Sequence, residues 1–232
     1  MRAKLIFLAL ILILTTGAAR AGVITGTVRA EGKAGAEDNS AANGVYANRK
    51  YKFAERVDYS AMRDFVVYVD GLTVTNHSET NVQQVITSKV AQKSAQFLPH
   101  ILPVAAGTTV EWPNYDDIYH NVFSVSDAKQ FDLDLYKGDP PDKRVTFDQP
   151  GRVDVFCSIH ANMHCVVLVL PNPYFATTDA AGHYAISNVP PGSYKLKAWH
   201  ERLPADEREI TVPATGEVKA DFTLTIKNLP RY

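Results

Sequence analysis

Short apolar runs rich in Val, Ile, Thr, Tyr and Phe recur along this chain, each bounded by Gly, Pro, Asn or Asp. That rhythm predicts β-strands. Strands are expected at residues 23–28, 65–69, 82–90, 101–104, 108–112, 122–125, 144–147, 152–156 and 166–170. Further strands are expected at 184–186, 194–200, 208–212 and 218–226. No window sustains a helical period, apart from a short turn over residues 58–64. Many short strands separated by turns imply an all-β protein built of sandwiches, not a parallel α/β sheet. Residues 30–60 are polar and rich in Gly, Ala and Asn, which predicts a long surface excursion. The aromatics Tyr46, Tyr51, Phe53 and Tyr59 imply that its later half packs on something.

The first twenty-one residues read differently. Arg2 and Lys4 precede an unbroken apolar run from Leu5 to Leu14, and Ala19-Arg20-Ala21 offers a small-x-small cleavage site. This is the form of a secretory signal peptide. Its apolar run is half of the roughly twenty residues needed to span a bilayer. The expectation is an exported, periplasmic or extracellular protein with no transmembrane segment once the signal is removed. Removal also takes away Arg2, Lys4 and Arg20 and no acid, leaving a net charge near −4. Nucleic acid is then not an expected partner.

Two cysteines are too few for a disulfide framework, even in an exported chain. Cys165 lies in the apolar run Cys165-Val166-Val167-Leu168-Val169-Leu170 and reads as a small buried core residue. Cys157 reads differently. It ends the strand Val153-Asp154-Val155-Phe156, and His160 and Met163 follow before the next strand begins. A tight loop between two strands can aim several side chains at one point. His120 must arrive from another loop, after the turn-rich Trp112-Pro113-Asn114-Tyr115-Asp116. A thiolate, two imidazoles and a thioether form the ligand set of a mononuclear type 1 (blue) copper site. Zinc competes for thiolate and imidazole, but a thioether is a poor fourth ligand for it. With four protein ligands no position is left open for substrate, so an electron carrier is expected and not an enzyme. The other histidines, His77, His100, His183 and His200, share no ligand spacing; His100 is expected nearest the copper end.

Residues 82–170 resemble the cupredoxin family, with a short Cys-x-x-His-x-x-Met loop closer to that of amicyanin than to the longer loop of plastocyanin. Phe97-Leu98-Pro99, Ala106-Gly107, Val110-Glu111-Trp112 and Phe147-Asp148-Gln149-Pro150-Gly151 carry the rest of the resemblance. It implies a Greek-key β-sandwich, one copper ion held by His120, Cys157, His160 and Met163, and redox partners such as a cytochrome or a dehydrogenase. It also implies that Asn121 ties the ligand loops together and offers its amide to the thiolate. Two departures stand out: Ala161 where relatives often carry Pro, and His164 where a small residue is usual. His164 is expected to face solvent, since neighbours on a strand point oppositely; replacement of Met163 as axial ligand is the alternative.

Downstream, Thr178-Asp179-Ala180-Ala181-Gly182-His183-Tyr184 and Val189-Pro190-Pro191-Gly192-Ser193-Tyr194 place turns before strands. This stretch resembles the second half of the carboxypeptidase regulatory-like (transthyretin- or prealbumin-like) β-sandwich. Such modules have scaffold or binding roles, and Tyr194, Trp199 and His200 read as packing residues. Because so short a segment is small for an independent core, residues 22–72 are expected to join 173–232 in one discontinuous module, with the copper domain (82–171) inserted between them. A contiguous tail domain is the alternative. The two-part arrangement resembles exported cupredoxins labelled methylamine-utilisation proteins, a label that names a pathway association. Two other functions compete: a copper chaperone or storage protein, against which the scarcity of methionine counts, and a metal-free scaffold.

Overall fold

A computed structural model describes residues 21–32, 58–71 and 87–226. Residues 1–20 of the expected signal peptide, His77, most of the 30–60 excursion and the first half of the strand expected at 82–90 lie outside the described residues. The strands, in chain order, are β1 (Gly22–Glu31), β2 (Val66–Asp70), β3 (Thr87–Lys89), β4 (Ala91–Lys93), β5 (Gln96–Leu98) and β6 (Ile101–Ala105). Next come β7 (Thr108–Glu111), β8 (His120–Ser126), β9 (Lys129–Tyr136), β10 (Arg144–Phe147), β11 (Gly151–Phe156) and β12 (His164–Leu170). The last six are β13 (Phe175–Thr177), β14 (His183–Val189), β15 (Gly192–His200), β16 (Leu203–Val212), β17 (Glu217–Lys219) and β18 (Phe222–Thr225). A 3-10 turn, Tyr59–Ala61, is capped by the Asp58 carboxylate. The protein is all-β.

The middle of the chain forms one sandwich. A five-stranded sheet in the order β6-β12-β11-β8-β9 faces the three-stranded sheet β10-β7-β3, with the β4–β5 ribbon beside them. Val122, Val153, Val155, Cys165, Val167 and Val169 of the larger sheet meet Val110, Trp112, Val145 and Phe147 in one buried cluster. Alternation explains the choice: on β11 Val153 and Val155 are fully buried, while Arg152 and Asp154 point the other way.

The remaining strands form a second sandwich. One sheet holds β14, β1 and β17 with β18 also on β1, and the other has the order β13-β2-β15-β16. β1 pairs antiparallel with β14 and parallel with β17 and β18, and β2 pairs with β13 and β15. Among the described residues neither strand pairs with the copper-side sheets. Ile24, Val28, Phe65, Val67 and Val69 contribute to the same core as Tyr184, Leu196, Val212, Phe222 and Leu224. At Gly26 the backbone of β1 passes so close to Ala220 that a Cβ would lie 1.9 Å from its carbonyl oxygen, so only glycine fits. That approach interrupts the single strand expected at 218–226, giving β17 and β18. Asp221, in the gap, accepts hydrogen bonds from the amide and hydroxyl of Thr27.

The two sandwiches meet through a third apolar cluster: Val66 of β2 with Ile101, Leu168 and Leu170 of the copper side, flanked by Tyr68, Phe175 and Trp199. β12 therefore has two buried faces, Cys165, Val167 and Val169 toward one core and Leu168 and Leu170 toward the junction. A strand buried on both sides reads as a continuous apolar run, and residues 165–170 do. Four elements go beyond the expected set: β4, β5, β9 and β13.

Candidate metal centre

His120 opens β8 and is fully buried. Asn114 shapes the turn before it: its side-chain amide donates to the carbonyls of Ile118 and Tyr136 (2.9 and 3.0 Å), and its Oδ1 accepts from the Asp116 amide at 2.9 Å. Asp116 in turn accepts from the amides of Ser94 (2.6 Å) and Ala95 (2.9 Å) and lies 2.8 Å from His120 Nε2. Burial pushes the Asp116 carboxyl up, but these amides and the His120 ring together outweigh it and hold the group below the usual carboxylate range. An ionised acceptor on Nε2 takes the ring hydrogen there, so Nδ1 presents its lone pair to the interior.

The second loop is the β11–β12 connection. The Cys157 amide donates to the Met163 carbonyl at 3.1 Å and the Met163 amide to the His160 carbonyl at 2.9 Å, closing a compact turn between the paired strand ends Phe156 and His164. The turn carries Cys157, His160 and Met163. Cys157 and Met163 are buried within the copper-side core, at 6% and 1% exposure. His160 is half-buried.

The loops bring three donors together. His120 Nδ1 lies 3.1 Å from His160 Nδ1, and His160 Nδ1 lies 3.7 Å from Cys157 Sγ. On one first-row ion, nitrogens bound at about 2.0–2.1 Å sit roughly 3.1–3.5 Å apart, and a thiolate at about 2.3 Å sits roughly 3.6–3.8 Å from a nitrogen. The residues fit copper: one soft thiolate, two imidazoles, and a thioether in the same buried cluster.

Asn121 lies beneath this group. Its backbone amide points at Cys157 Sγ from 3.5 Å, its Oδ1 accepts from the Ser158 amide at 3.3 Å, and its Nδ2 donates to Asp132 at 2.6 Å. It thereby links the β8 strand, the Cys157 loop and β9.

His164 does not face open solvent as expected. Its side chain is 25% exposed, stacks on Phe156 at 4.8 Å, and sets Nε2 2.9 Å from Asp154. Pairing opposite Phe156 at the hairpin base places the ring over the outer face of β11, where Asp154 waits. Cys165 is a free, fully buried thiol whose ionisation burial pushes far up. His183 caps an exposed turn with Asp179, and His200 packs against Phe65. Asp116 is the contributor that sequence reading missed; its signal was a carboxylate four residues before His120 in a turn-forming stretch.

Two family models match the chain. Residues 84–170 match the family of copper binding proteins of the plastocyanin/azurin type, and residues 166–225 match the carboxypeptidase regulatory-like domain. No curated protein matches the chain. Among solved structures, it is similar to a copper-containing nitrite reductase from Thermus scotoductus SA-01 (26% identity, TM-score 0.34), with 37% of this chain covering only 22% of that one. It is also similar to a purple cupredoxin from Nitrosopumilus maritimus (23% identity, 36% of this chain and 99% of that one, TM-score 0.31). Amicyanin from Paracoccus versutus is a third (24% identity, 39% and 86%, TM-score 0.32). The chain thus carries a segment, residues 84–170, similar to the copper binding proteins of the plastocyanin/azurin family, and a segment, residues 166–225, similar to the carboxypeptidase regulatory-like domain.

Proposed function

We propose that this is an exported type 1 copper protein that carries single electrons between redox partners, with one copper ion held by His120, Cys157, His160 and Met163. The observation that carries the reading is the convergence of His120 Nδ1, His160 Nδ1 and Cys157 Sγ at spacings that suit one ion. When bound, copper supplies the one-electron couple between Cu(II) and Cu(I). The chain's residues do the rest. Asp116 and Asn114 hold the His120 ring in place from behind, Asn121 gives the thiolate a hydrogen-bond donor, and the closed 157–163 turn fixes three donors on one rigid hairpin. Little side-chain movement is then available when the charge on the metal changes. Four protein donors fill the coordination sphere, which favours a carrier over an enzyme. The half-buried His160 is the natural exit for the electron. The exposed Ile118, Tyr119 and Ile159, next to the two histidines in sequence, suit an apolar partner surface on a cytochrome or a dehydrogenase.

The leader-like segment at residues 1–21 supports a periplasmic or extracellular location. The copper-bearing segment is read as an insertion between residues 22–72 and 173–232 of the smaller sandwich. The functional test is direct. Copper-loaded protein should show an intense visible thiolate-to-copper band, lost in Cys157→Ser and kept in Cys165→Ser. A colourless protein, or colour that follows Cys165, would refute the assignment; a storage protein would take up several Cu(I) ions without the band.

A further inference from the structure

We propose that His100, His164 and Glu201 form a second site, for a divalent transition-metal ion of the zinc class, at the junction of the two sandwiches. The three residues each offer a donor atom, all within 4.8 Å of one another, and all are partly buried. They come from three separate places: the turn between β5 and β6, the first residue of β12, and the turn between β15 and β16.

The hydrogen-bond pattern argues for a cation here. His100 Nδ1 lies 3.2 Å from the carbonyl of His164, which can only accept, so that nitrogen carries a hydrogen. His100 Nε2 lies 2.9 Å from a Glu201 carboxylate oxygen, also an acceptor. A neutral imidazole has one hydrogen and cannot satisfy both. Either a second proton or a metal ion must stand between Nε2 and Glu201, and a nearby third donor favours the metal. His164 supplies it. Its Nε2 is engaged by Asp154 at 2.9 Å, which leaves Nδ1 as the ligating nitrogen and reproduces the carboxylate–histidine pair that orients metal-bound imidazoles. The two rings meet edge to face with centroids 5.5 Å apart.

Arg152 is the neighbouring cation that must be weighed against the site. Its guanidinium is paired through two hydrogen bonds with Asp154 (2.8 and 2.6 Å), and it also reaches the Glu201 carbonyl at 3.3 Å. Its charge is therefore largely balanced by Asp154, and its contact helps to hold the Glu201 turn over the copper-side sheet. Two imidazoles and one carboxylate make a three-ligand set that zinc accepts with a solvent or further ligand in the fourth place. A tetrahedral ion sets its donors roughly 3.3 Å apart, so donors within 4.8 Å of one another must close by at most about 1.5 Å. Such an ion would join the two sandwiches through protein ligands.

The site does not rest on the copper reading, and its test is arranged accordingly. Zinc is titrated calorimetrically into the whole chain carrying Cys157→Ser, which lacks the thiolate of the first centre. The same titration is run with His100→Ala or Glu201→Gln added. One zinc per chain is expected in the parent, with affinity falling at least tenfold on either addition. The Asp154→Asn chain should lose ten- to a hundredfold through the orienting carboxylate. Thermal unfolding without metal, unchanged in Glu201→Gln, separates lost ligation from lost fold. Zinc uptake that is absent, or equal in the parent and both additions, overturns the site.

Discussion

Expressed alone, residues 173–232 should remain unfolded, because β1 and β2 are central strands of the sheets that the tail completes. β1 runs between β14 on one side and β17 and β18 on the other, and β2 between β13 and β15. Their removal leaves β14 without its partner and β15 with β16 alone. It also strips Ile24, Val28, Phe65, Val67 and Val69, each no more than 2% exposed, from the shared core. Burying side chains of this size contributes about 1.5–3 kcal/mol each, so roughly 8–15 kcal/mol for the five. A compact denatured chain lowers that by as much as about 40%, to roughly 5–9 kcal/mol. The loss still matches the whole stability of a typical domain, about 5–15 kcal/mol. Residues 82–171, which keep their own core, should by contrast give a soluble fragment that binds copper. Far-UV circular dichroism and two-dimensional amide NMR of each fragment provide the assay. A tail fragment with dispersed amide signals and a cooperative thermal transition would sink the insertion reading in favour of a contiguous domain. So would a copper fragment that folds only when β1 is supplied.

The remaining expectations are narrower. Met163→Leu should raise the reduction potential, because losing a weak donor disfavours Cu(II) more than Cu(I); a potential unchanged in voltammetry would remove Met163 from the axial position. Gly26→Ala must displace the Ala220 carbonyl or β1 itself, and should cost about 1–3 kcal/mol or more in chemical denaturation. A wild-type midpoint would mean that the two backbones are not in close approach.

Much of this was legible in the chain, and the gaps have physical reasons. Strands with one apolar face declared themselves, as Val153 and Val155 did. β9 did not, although Phe131, Leu133 and Leu135 alternate with Asp132 and Asp134, because a sheet-edge strand with one face in solvent looks like a polar loop. The loop Cys157–Met163 was visible because its donors are adjacent in sequence. The Asp116 support was obscured by its turn-rich setting. The cluster of His100, His164 and Glu201 was invisible, since its members are spread across 101 residues and are joined through the junction where Leu168 and Leu170 pack against Val66. Sequence patterning records which face of a strand is covered and not by what.

The parallel pairing of β1 with β18, Val28 opposite Phe222 and Glu31 opposite Thr225, has a mechanical consequence. β1 begins at Gly22, runs beside β17 and then β18, and β18 ends at Thr225, so these two points lie at opposite ends of the ribbon. Tension applied at those two points therefore loads the hydrogen bonds sideways and all together, instead of peeling them one at a time. Until that ribbon gives way, no pull is transmitted to the hairpin that bears Cys157, His160 and Met163. The smaller sandwich acts as a clasp, and the candidate metal centre hangs outside the line of force.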